Sequence, residues 1–68
     1  MKRQFPLPLK IDCVGLSSKL INDLADRLAL HFDTVAIWGD EITAANPLDM
    51  AHYDIAWRII DRFGVKAS

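Results

Sequence analysis

Thr34-Val35-Ala36-Ile37-Trp38 is the stretch whose reading decides the fold. Its β-branched and aromatic side chains favour a strand. Asp33, just before it, is a good N-cap, and on that reading the same residues open a helix. Gly39 closes either element. A helix makes the domain mainly α. A strand makes it α+β, in the order β-α-β-α, with short strands over 9–14 and 34–38.

Upstream, Leu24-Ala25-Asp26-Arg27-Leu28-Ala29-Leu30 supports the helical reading. Ala25 is small where two helices would cross, and Ala29 is small at the turn that follows. Leu28, Leu30, Val35 and Trp38 are apolar where the helices would meet. This spacing is that of a helix-turn-helix, which places its second helix in the DNA major groove. A mainly α helix-turn-helix domain is therefore the leading expectation.

The flanks are read from the same rules. Leu9, Ile11 and Cys13 alternate with Lys10 and Asp12, which suits a short strand; Pro8 and Gly15 equally bracket a short helix. Ser17 is an N-cap, and Leu16, Leu20, Ile21, Leu24, Ala25 and Leu28 fall on one helical face. Asn46 caps a last helix that has Pro47 at its first position. Leu48, Ala51, Ile55, Ile59 and Phe63 repeat along one face of that helix, and Trp57 and Ile60 broaden it. Thr43-Ala44-Ala45 is read as a linker. Residues 1–8 are an irregular leader, and residues 9–68 form a single domain.

Composition bounds the function. The chain has 68 residues, 51% of them hydrophobic, which describes one small globular domain with a thin core. A homodimer is expected on that ground. The single cysteine, Cys13, cannot close an internal bridge and fits a reducing cytosol. Lys2 and Arg3 begin like a signal peptide, but Pro6, Pro8, Lys10 and Asp12 interrupt the apolar run that should follow. A cytoplasmic protein with no membrane partner is expected. Eight basic against nine acidic residues give a net charge of −1, so no global field draws the chain to nucleic acid.

Catalytic spacings are absent. His31 and His52 lie far apart in sequence, and neither has a Cys or acidic neighbour at metal-ligand spacing. No glycine-rich phosphate loop is present. No enzyme activity, metal or cofactor is expected.

Gly15-Leu16-Ser17, the Leu24-Ala25 pair, Val35, Trp38-Gly39-Asp40-Glu41-Ile42 and the closing Phe63-Gly64-Val65 together resemble small phage regulators of the Cro and repressor class. The resemblance covers about residues 9–65. It implies a dimeric transcriptional regulator of phage or mobile-element type acting on duplex DNA. Lys19 and Arg27 would contact phosphate, and His31 and Thr34 would approach the bases. The chain departs from the pattern in three places. The stretch before Leu24 is longer by roughly one turn, the turn carries Ala29 instead of glycine, and the DNA-facing positions include Phe32, Asp33 and Ile37. Gly15-Leu16-Ser17-Ser18, with Leu20, Leu24, Arg27, Leu28 and Phe32, also resembles the start of an acyl carrier second helix. There Ser18 would carry the phosphopantetheine arm, but Ser17 replaces the family's aspartate and the family's long first helix has no room.

A second function class follows from the apolar would-be recognition face and the near-neutral charge. It is a small non-enzymatic module that binds and modulates a host protein. Its candidate contact residues are Trp38, Asp40 and Glu41, because a thin core cannot bury two tryptophans and one is left for a partner or dimer mate.

Overall fold

The computed structural model describes residues 8–68. All but Pro8 of the leader read over 1–8, including Lys2, Arg3 and Pro6, lies outside the described residues. The chain runs β1 (Leu9–Asp12), α1 (Ser18–Leu28), β2 (Phe32–Trp38), β3 (Glu41–Pro47), α2 (Met50–Arg62) and β4 (Lys66–Ala67). The strands form one antiparallel sheet in the order β2-β3-β1-β4. This β-α-β-β-α-β path, with β3 inserted between β1 and β2, is the split βαβ or ferredoxin-like arrangement.

The mainly α expectation is therefore corrected. Thr34–Trp38 lies inside a strand, so there is no recognition helix and no helix-turn-helix. The reason is local and tertiary at once. The β-branched pair Val35 and Ile37 points to the core side, and β3 is available to complete the ladder. The break expected near Ala29 to His31 does occur. The amides of Leu30 and His31 turn back onto the carbonyls of Arg27 and Leu28, at 3.2 and 2.9 Å, before the strand begins.

The α+β alternative was closer but short by two strands. Thr43 to Ala45, read as a linker, and Asn46 and Pro47, read as the start of a helix, belong to β3 (Glu41–Pro47). Lys66–Ala67 adds β4. The cap of α2 is Asp49, whose carboxylate accepts from the His52 amide at 2.9 Å; Asn46 and Pro47 belong to β3. Asn46 has a φ of 58°, and no ladder pair joins it to Asp33. Beyond that defect Phe32 enters the core, although it shares parity with the exposed Thr34 and Trp38. Ser17 caps α1 as expected, its hydroxyl accepting from the Leu20 amide at 3.3 Å.

The core lies between the sheet and the two helices. Strand alternation supplies Leu9 and Ile11 from β1 and Ile42 and Ala44 from β3. Helix α1 supplies Ile21, Leu24, Ala25 and Leu28 at the 3.6-residue period. Helix α2 supplies Tyr53, Ala56 and Ile60. Phe32 meets Tyr53 edge-on at 6.3 Å, and Tyr53 meets Trp57 at 6.4 Å. Each fully buried Leu or Ile contributes roughly 1.5–3 kcal/mol by leaving water. The face Leu48, Ala51, Ile55, Ile59 and Phe63 is therefore not the main core face of the last helix: Leu48, Ala51 and Ile55 are exposed.

Candidate functional site

With both helices on one side, the register fixes what the other side of the sheet shows. Ile37, Ile42 and Ile11 form one cross-strand row on the helix side, and Val35, Ala44 and Leu9 form the next. Their strand neighbours face the opposite way. Trp38, Glu41, Asp12 and Lys66 make one row across the bare face, and Ala36, Thr43 and Lys10 make another. Thr34 pairs with Ala45 beyond them. The bare face carries Ala36, Thr43, Thr34 and Ala45 beside the charged Lys10, Asp12, Glu41 and Lys66, and its one large apolar residue is Trp38, which is 70% exposed. Trp57 is half-buried against the core, so Trp38 is the tryptophan the core leaves out.

Strand β2 is also an edge. It pairs only with β3, and among the described residues its outer side has no strand neighbour. Edge strands of monomers are usually short or carry charges and prolines, because an open row of N–H and C=O groups invites another strand. Here the seven-residue strand is uncharged and proline-free from Thr34 to Trp38. Ile37, though on the helix side, is still 41% exposed. The only charge in the strand is Asp33, at its far end.

The β2–β3 hairpin places the acidic residues. Gly39 and Asp40 form a two-residue loop between Trp38 and Glu41, and Gly39 has a φ of 62°. Glycine at the first loop position with positive φ is the signature of a hairpin turn whose twist matches the strands. The Asp40 carbonyl accepts from the Cys13 amide at 2.8 Å, which ties this loop to the end of β1. Asp40 and Glu41 thus lie at the Trp38 end of the edge, while Asp12, two strands in, pairs across with Lys66. The sequence-predicted trio Trp38, Asp40 and Glu41 is one exposed cluster at the hairpin.

The other predicted residues do not form one surface. Lys19 is exposed in the first turn of α1 and Arg27 is exposed in its last. Thr34 is exposed on the bare face, on the opposite side of the sheet from α1. His31 precedes β2 and meets His52 of α2, with the two Nδ1 atoms 2.8 Å apart and the ring centroids 5.1 Å apart. Sequence separation had set these histidines apart; the adjacency of the β2 start and the α2 start brings them together. One ring donates and the other accepts. An imidazolium has no acceptor, so the contact needs at least one neutral ring. Among the described residues no third His, Cys, Asp or Glu joins them in a cluster that could hold a metal ion. No helix among the described residues is long and apolar enough to cross a membrane.

Comparison with protein-family models, with curated proteins and with solved structures finds no match.

Proposed function

We propose that this protein is a small non-enzymatic protein-binding module whose recognition surface is the outer edge of β2, anchored by Trp38. The observation that carries this reading is the uncharged edge Thr34–Trp38, unpaired on its outer side among the described residues and ending in a tryptophan that is 70% exposed. An extended segment of a partner would add to that edge by main-chain hydrogen bonds, with side-chain contacts supplying selectivity. The partner strand carries a basic residue near the Trp38 end, where Asp40 and Glu41 lie. A second copy fits less well. Two β2 edges paired antiparallel about Val35 or Ala36 would bring Asp33 of each toward the Asp40 and Glu41 end of the other.

The test uses an eight-residue peptide of alternating Val and Thr with Lys at both ends. Amide shifts confined to Thr34–Trp38, with loss of binding in Trp38→Ala and in the peptide with Glu for Lys, are expected. Shifts elsewhere, or none, overturn the reading. Random duplex DNA at low salt is the parallel arm. Binding that weakens steeply with salt, with a slope flattened by about one in Lys19→Ala or Arg27→Ala, would replace it with a DNA-binding function. Sedimentation at rising concentration identifies self-pairing, and a dimer lost in Trp38→Ala would make the second copy the occupant instead.

A further inference from the structure

The outer face of the two helices carries an apolar groove, away from the β2 edge. Its floor is Leu16, just before α1, and Leu20 in its first turn, with Ile55 and Ile59 of α2 and its C-cap Phe63, and its volume is about 620 Å³. The apolar arc of α2 is wider than the sheet can cover. Tyr53, Ala56 and Ile60 fill the core, while Ile55, 40% exposed, and Ile59 and Phe63, half-buried, turn toward α1. Leu20 on the facing helix is 42% exposed.

Among the described residues, the polar ones lining the groove are three arginines, Arg27, Arg58 and Arg62, with no carboxylate. Arg58 and Arg62 are four apart on one helix, which sets like charges one turn from each other. Strands β1 and β3 are antiparallel and each is followed by a returning helix, so α1 and α2 are antiparallel too. Leu16 and Leu20 therefore lie toward the Arg62 and Phe63 end, and Arg27 lies toward the Ile55 end. The cations are spread along the groove and on both of its walls.

We infer that this groove docks an acidic amphipathic helix from another polypeptide. Its apolar stripe, at i, i+3, i+4 and i+7, would seat on Leu20, Ile55, Ile59 and Phe63. Carboxylates flanking that stripe would meet Arg27 on one wall and Arg58 and Arg62 on the other, where guanidinium groups can take them bidentately. A fatty acid has one anionic head and would leave most of the arginines unmatched. Nucleic acid would match the arginines but leave the apolar floor in water. A second copy docked groove to groove would oppose two sets of arginines. Lys2 and Arg3 of this chain carry the wrong sign.

The probe is an 18-residue capped helical peptide with Leu along one face and Glu on both flanks. Its control has Lys in place of Glu. The expected result is binding of the Glu peptide alone, with amide shifts confined to the outer faces of α1 and α2. Arg58→Glu with Arg62→Glu should weaken it at least tenfold and admit the Lys peptide instead. Ile55→Ser, at an exposed position, should weaken it while the far-UV dichroism and amide spectrum stay folded. Equal binding of both peptides, no binding, or shifts on β2 would overturn the inference. Tighter binding of laurate would make the groove a lipid site, and protection of Arg58 and Arg62 by duplex DNA would make it a nucleic-acid site. Trp38→Ala should leave the Glu peptide's affinity unchanged, which separates this groove from the β2 edge.

Discussion

Cys13 closes β1 with a thiol that is fully buried, its sulfur 3.8 Å from the Ile11 carbonyl. Burial pushes its pKa up, and the carboxylates of Asp12 and Asp40 push in the same direction. The thiol ionises in the unfolded chain before it ionises in the folded one. Its contribution is therefore fully present below the ordinary thiol range and is lost as the pH rises from roughly 8.5. Urea midpoints measured from pH 7 to 10 should fall for the natural chain, and Cys13→Ala should flatten that fall. A thiol reagent at pH 8 should react only as fast as the protein opens; immediate labelling of the folded protein would contradict the burial. A lone cysteine in phase with the apolar Leu9 and Ile11 was readable as a core residue. Asp12 is its neighbour in sequence, but Asp40 was not readable, because it arrives through the hairpin.

The β2–β3 hairpin shows what the sequence allowed and where it misled. The alternation of Thr34 to Trp38 and the Gly39-Asp40 pair were both visible, and a Gly-Asp pair between two alternating runs signals a hairpin. Glu41 to Ala45 is a weak strand by composition, since two alanines and an acid have little β preference. Only its place between β1 and β2 makes it one. The helices were clearer, because Ser17 and the Ile21, Leu24, Leu28 stripe act within single segments. The face of α2 was less clear. Apolar residues occupy more than half of its circumference, so periodicity could not say which arc meets the sheet. The groove arginines were legible as residues but not as a group, because Arg27 joins the others only through the antiparallel helices. At this scale Gly39 gives a direct measurement. A Cβ there would meet nothing within 4 Å, yet the φ of 62° disfavours any L side chain. Gly39→Ala should cost about 1–2 kcal/mol through the backbone alone. An unchanged melting temperature would mean that the turn relaxes freely.

Across the whole molecule, the two proposed interaction surfaces lie on different elements. The edge of β2 bounds the sheet on one side, and the groove lies on the outer face of the helices. One domain could then hold an extended segment and a helix at once. Strand β4 sits at the other edge, beside β1. Lys10 and Ser68 exchange both backbone hydrogen bonds, each at 2.9 Å. Deleting residues 66–68 removes these and the pairs with Ile11 and Asp12, and should cost about 1–3 kcal/mol, the net worth of two or so hydrogen bonds. Chemical denaturation reads the loss, and an unaltered midpoint would show β4 to be dispensable. The same pairing has a consequence for synthesis. β1 leaves the ribosome before β3 and β4, yet Leu9 must wait for Ala44, and Ile11 for Ala67, before its hydrogen bonds close. A nascent chain halted before Lys66 holds its central strand with one side open. Vectorial folding cannot complete this sheet strand by strand, and a translating chain depends on β4 to seal the apolar β1 made well before it.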